Sequence, residues 1–274
     1  MMNAIRAVAF SCAAAMPAAA EVQPAEMEEL FALLGQDQIV EVMRQESFAY
    51  GENIAEMFFG AGDAAWDAQL EAIYRADWMR EQLISGFARE LDGEDLGAIT
   101  AYFETDPGAR IVELEVAART AMLDDAVSDA AKASGAEALA DPSAKMRLIQ
   151  EFVEVNDLIE MNVVGGMNGN YAFFMGLLDN GAFEGQTTAD TLLSDVANQE
   201  AEIRASTTEW IYGFLNLAYS PLSEADLENY IAFSRTEAGR ALNKALFVAY
   251  DDLFNALNRA VGAAAAARMK QSEL

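Results

Sequence analysis

Two stretches of this chain recur in the same order, and that repetition constrains the fold more than any single motif. Asp37-Gln38-Ile39-Val40-Glu41-Val42 is matched by Asn156-Asp157-Leu158-Ile159-Glu160-Met161, in a register that also carries Met27 onto Met146. Leu91-Asp92-Gly93-Glu94-Asp95-Leu96 is matched by Leu222-Ser223-Glu224-Ala225-Asp226-Leu227, and that register continues through Tyr102/Phe233, Thr105/Thr236 and Gly108/Gly239. The second offset is longer than the first. A duplicated module therefore needs an insertion in its second copy, and the polar residues 184–190 are its natural place.

The repeated positions read as helix punctuation. Asp92 with Asp95, and Ser223 with Asp226, are N-cap signals with an acid three residues on. Thr105 and Thr236 read as the next N-caps, and Pro107 falls in a first helical turn, where its missing N–H costs nothing. Gly108 and Gly239 then let two helices meet closely at a corner. The pattern predicts five helices per copy. They lie near 25–34, 37–60, 64–90, 93–104 and 107–133, then near 143–154, 156–179, 188–219, 224–235 and 237–268. The expected fold class is all-α, as two tandem helical bundles at 21–133 and 144–274, joined by a linker at 134–143.

Composition agrees. Of 274 residues, 53% are hydrophobic, and only 5 prolines and 18 glycines interrupt them, which suits long helices. The formal charge is −28. Such a surface repels nucleic acid and offers anionic lipid no polybasic patch. There is no histidine, and the single cysteine is Cys12. That excludes Ser-His-Asp and Cys-His catalysis and zinc or haem sites built on those side chains. Any chemistry falls to carboxylates, hydroxyls, Lys, Arg or Tyr.

The first 20 residues read as a secretory signal. Arg6 supplies the positive region, residues 7–16 the apolar region, Pro17 a break, and Ala18-Ala19-Ala20 the cleavage site. A periplasmic chain beginning at Glu21 is expected. Lipidation at Cys12 is the alternative, but it lacks the usual lead sequence. Residues 161–178 carry no charge, yet their counterpart in the first copy is charged, so they are expected to form a buried helix rather than a membrane span. Within them Gly165, Gly169, Ala172 and Gly176 share one face, which predicts close approach of another helix of the same chain.

The run Ala101-Tyr102-Phe103-Glu104-Thr105-Asp106-Pro107-Gly108, echoed by Ala232-Phe233-Ser234-Arg235-Thr236-Glu237-Ala238-Gly239, resembles the signature of a bacterial family of exported helical proteins catalogued as a domain of unknown function. The second copy departs from it at Ser234 and Ala238. The resemblance implies export and a helical fold, and it carries no catalytic residue with it.

No residue is assigned a catalytic, cofactor-binding or metal-binding role, and no cofactor is expected. Gln45-Glu46-Ser47-Phe48 superficially resembles the Glu-Ser of lytic transglycosylases, but the rest of that signature is missing. Asp124-Asp125 and Asp251-Asp252 read as solvent-facing charge, since adjacent helical residues diverge by about 100°. Trp66, Trp78, Trp210, Tyr102, Phe103 and Phe233 read as core rather than as a ligand groove. The function expected is that of a non-enzymatic binding or accessory protein whose partner is a protein or an envelope component. The rival is a carboxylate-dependent glycan hydrolase of the cell envelope, which needs two carboxylates in one cleft. The sequence leaves the oligomeric state open.

Overall fold

The computed structural model describes residues 24–183 and 185–272. The expected signal sequence, with Arg6, Cys12 and the expected cleavage site, lies outside them. Among the described residues there are thirteen α-helices and no strand. They are α1 (Pro24–Leu33), α2 (Gln36–Phe59), α3 (Ala64–Ile73), α4 (Ala76–Glu90), α5 (Leu96–Phe103), α6 (Asp106–Ala121) and α7 (Asp125–Ala140), then α8 (Ala144–Val155), α9 (Leu158–Asp179), α10 (Ala189–Ala197), α11 (Glu200–Tyr219), α12 (Glu224–Ser234) and α13 (Glu237–Ser272). None is long and apolar enough to cross a membrane among those residues.

Side-chain caps set many of the boundaries. Asp63, Asp95 and Asp124 each accept from backbone N–H groups at the starts of α3, α5 and α7. Ser223 and Asp226 form a reciprocal capping box at α12. Thr105 accepts from Gly108 N at 3.2 Å and Thr236 from Gly239 N at 3.0 Å. At both corners a Cβ on the glycine would collide with a carbonyl of the preceding helix, that of Tyr102 or that of Phe233. The two corners pack on each other. Tyr102 and Phe233 stack with ring centroids 4.0 Å apart and planes 8° from parallel.

Three helices expected to be continuous are broken. α3 ends before α4 because Tyr74 turns into the core, 2% exposed, and its freed carbonyl accepts from Arg44 Nε at 3.1 Å. α6 gives way to α7 where Asp124 caps a new start. α10 stops at Ala197, with Asn198 as its C-cap, and α11 starts at Glu200 after the N-cap Gln199. Asp92 is not an N-cap. Gly93 takes a left-handed φ of 80°, so the chain turns once more and α5 starts only after Asp95. Residues 134–140, expected in a linker, belong to α7, and the break between helices is confined to 141–143.

Two hydrophobic cores hold the chain, and neither stays within one half of the sequence. The first gathers residues of α1 to α5 around one face of α13, including Leu242, Ala249, Leu253, Leu257 and Val261, with Phe173 and Leu177 of α9. The second gathers α8, α11 and α12 around Ile111 and Ala118 of α6. At about 1.5 Å per residue, the 36 residues of α13 make a spine of roughly 54 Å. It lies along α9 for much of that length and also packs against α4, α2 and α3. α11 is covered in turn by α6 and α7. The last helix of the second half thus completes the first core, and the helices that end the first half cover the second.

Candidate functional site

The helix α9, uncharged between Glu160 and Asp179, and the spine α13 are not packed evenly. At one end the backbones touch. A Cβ at Gly176 would collide with the Arg259 carbonyl, and one at Gly262 with the Phe173 carbonyl. Two turns earlier, a Cβ at Gly169 would meet only the amide end of Asn258, at 3.0 Å. At Gly165 it would meet one carboxylate oxygen of Asp251, at 3.5 Å. The small-residue stripe of α9 therefore seats a partner helix of the same chain at its far end and lines open space at its near end. There α9 and α13, with α2 and Tyr74, enclose a cleft of about 540 Å³. That is within the usual range for a small-molecule site.

Its walls are mostly apolar. Tyr50, Tyr74, Phe247, Tyr250 and Phe254 line it, and Tyr50 and Val164 remain exposed to solvent at 38% and 51%. Desolvation pushes the Tyr50 and Tyr74 hydroxyls above the ordinary phenol range. The Tyr250 hydroxyl donates to Gln36 Oε1, which ties the spine to the start of α2.

The polar lining consists of amides, two carboxylates and the Ser47 hydroxyl. Asn162, Asn168, Asn170 and Asn258 contribute the amides. Asp251 accepts from Asn168 Nδ2 at 3.2 Å on both oxygens and from Asn255 Nδ2 at 3.0 Å. Among the described residues no arginine or lysine pairs with it, whereas its neighbour Asp252 pairs with Arg89 at 2.6 Å. Glu46 accepts from Arg119 at 2.5 Å, and that guanidinium lies over the Trp210 ring, 4.6 Å from its centroid. Among the described residues no basic side chain lines the cleft.

A second polar cluster sits apart, where α5, α6, α11 and α12 meet. Glu115 accepts from the Tyr219 hydroxyl at 2.5 Å. Burial pushes its carboxyl up to about 7, against the opposing pull of the Tyr219 and Tyr230 hydroxyls. Burial also raises Tyr219 and Tyr230 well above the ordinary phenol range. The Tyr102 hydroxyl is buried beside them without a hydrogen bond. Sequence reading passed over Glu115, although it shares a helix face with Ile111 and Ala118, both buried.

The residues singled out from sequence scatter. Glu46 and Ser47 line the cleft, and Asp251 joins them from the far end of the chain. Asp124 caps α7 and Asp125 begins it, so that pair marks a helix start rather than a late helical position. Trp66 is fully buried and donates from Nε1 to the Gly51 carbonyl at 3.1 Å. Trp78 packs on the first core, and Trp210 stacks on Phe214 beside the second. Tyr102, Phe103 and Phe233 pack together at the corners. No three carboxylates among the described residues come together as a metal site would need.

Over residues 77–136 the chain is similar to a family described as "Uncharacterized protein conserved in bacteria (DUF2059)". The match runs from the first turn of α4 into α7 and includes the Thr105–Gly108 corner. No curated protein and no solved structure matches the chain.

Proposed function

We propose that this chain is an exported, non-enzymatic binding protein of the bacterial periplasm, and that it holds its ligand in the cleft between α2, α9 and α13. The observation that carries the reading is the splaying of α9 from α13. The same glycine stripe that packs tightly at Gly176 keeps side chains out of the space at Gly165 and Gly169. The two carboxylates there act as acceptors for N–H donors of the protein itself, an arrangement suited to fixing a shape more than to shuttling protons. The signal-like residues 1–20 support export, and the similarity to a family conserved in bacteria supports the bacterial setting. Native mass spectrometry of the mature chain, purified without denaturation, tests the reading. A bound small molecule should be present in the wild type and missing from Gly165→Trp, which fills the cleft. A clean apo mass for both from native periplasm would count against it.

A duplication underlies the scaffold in this reading. Its support is the like surroundings of Gly108 and Gly239 and the stacking of Tyr102 on its counterpart Phe233, as residues beside a local two-fold would stack. The exchange of terminal helices between the two cores fits the same origin.

One observation favours the rival. Glu46 and Asp251, distant in sequence, share the cleft, which a carboxylate-dependent glycan hydrolase requires. Release of soluble fragments from purified peptidoglycan, abolished by Glu46→Gln and by Asp251→Asn, would establish hydrolysis and displace the binding reading.

A further inference from the structure

The charges around the cleft do not cancel, and the residue that leaves the imbalance can be named. Glu46 is answered by Arg119, which sits behind it on Trp210 and does not line the cleft. Asp251 is answered only by the neutral amides of Asn168 and Asn255. Asn255 turns its Nδ2 to Asp251 and leaves its own Oδ1 buried without a donor. Asn255 does not itself line the cleft; what faces the cleft is Asp251, a carboxylate with no arginine or lysine partner among the described residues. Apart from Glu46, Ser47 and the neutral amides, the lining is apolar and aromatic and includes Tyr50, Val164, Phe247 and Phe254. Aromatic faces attract cations as well as hydrocarbon. An acidic protein of charge −28 also concentrates cations around itself.

Resting on the binding reading above, we propose that the cleft takes a monocationic amphiphile. Its amine-type head group lies against Asp251, and its short apolar body lies along Val164, Phe247 and Phe254. Anionic amphiphiles are excluded by the same carboxylate, which no basic side chain among the lining residues offsets.

Isothermal titration of the mature protein with decylammonium and decanoate below their micelle concentrations, and with decanol below its solubility limit, tests the assignment. Decylammonium should bind at one site per chain, decanol at least tenfold more weakly, and decanoate not measurably. Asp251→Asn keeps the shape and should cost decylammonium tenfold or more while leaving decanol unchanged. Asp252→Asn, one residue along and paired with Arg89, removes the same charge from the same helix and should leave all three titrations unaltered. An equal loss in Asp251→Asn and Asp252→Asn would reduce the effect to bulk acidity and overturn the proposal. Binding of decanoate as tight as that of decylammonium would overturn the charge assignment while leaving a ligand-binding cleft in place. Decylammonium binding that survives Gly165→Trp would overturn the placement, and with it the cleft as the binding site. Circular dichroism of each variant separates lost binding from lost folding.

Discussion

Glu115 is an acid set on the buried face of its helix, between Ile111 and Ala118, with the Tyr219 hydroxyl as its near partner. Its carboxyl is raised from 4.5 to about 7, so between those values the folded chain holds a proton that the unfolded chain has released. The stabilisation from this residue is fully present below about pH 4.5 and is lost as pH rises through about 7. A shift of that size corresponds to up to about 3 kcal/mol. Glu115→Gln keeps an acceptor for Tyr219 and removes the charge. It should therefore be more stable than the wild type at pH 8 by about 1–3 kcal/mol, and close to it at pH 4.5. Denaturant melts of the two proteins at both pH values check this, because the other carboxylates cancel in the difference. An identical pH dependence in the two proteins would mean that Glu115 is solvated. The signal was present in the sequence, as an acid in phase with buried residues. What the sequence lacked was Tyr219, more than a hundred residues away and brought in by α11.

The pairing of α9 with α13 shows how one sequence pattern serves two ends of a helix. Glycine inside a helix costs about 1 kcal/mol against alanine, so a stripe of them has to be compensated. At Gly176 the compensation is backbone contact with the Arg259 turn. At Gly165 there is room for a methyl, since its nearest neighbour would be the Asp251 carboxylate at 3.5 Å. Gly176→Ala should destabilise the protein by about 1–3 kcal/mol through overpacking. Gly165→Ala should instead be neutral or stabilising by up to about 1 kcal/mol, through helix propensity alone. Thermal melts of the two variants test the gradient, and similar losses at both sites would mean that the helices are parallel and the cleft is closed. The stripe and its approach to a helix of the same chain were legible from spacing. Its splaying was not, because the divergence of two axes depends on what each packs against on its other faces.

At the scale of the whole molecule the two cores depend on each other. Leu242, Leu253, Leu257 and Val261 of α13 are buried in the first core at 4% exposure or less. At about 1.5–3 kcal/mol each, they are together worth roughly 6–12 kcal/mol, as much as the net stability of a typical domain. Residues 24–143 alone lack α13, and residues 144–272 alone lack α6 and α7. Each piece expressed by itself should be poorly folded, with a broad and weak melting transition. An equimolar mixture refolded together should recover helicity and elute as a one-to-one complex. Circular dichroism and size-exclusion chromatography read this out. A sharp, independent melt of either half would mean that the modules are self-sufficient bundles and that the exchange of helices contributes little.

What the sequence determined by itself was local and short-range. The all-helical class follows from composition and spacing. The corners at Thr105 and Thr236 follow from a hydroxyl, a first helical turn and a glycine within four residues. Those interactions close inside one or two turns, so their partners are written next to them. Even there a single left-handed glycine, Gly93, moved the start of α5 by three residues, because a turn conformation outweighs a cap preference. The tertiary structure decided the rest. It sent α13 into the first core and α6 beneath α11, and it brought Glu46 and Asp251 to one cleft. Apolar stripes on helices are interchangeable to first order, since burial is non-directional and any matching face can satisfy any other. Which stripe meets which, and where two helices part enough to leave a site, is settled only when all the faces are packed at once.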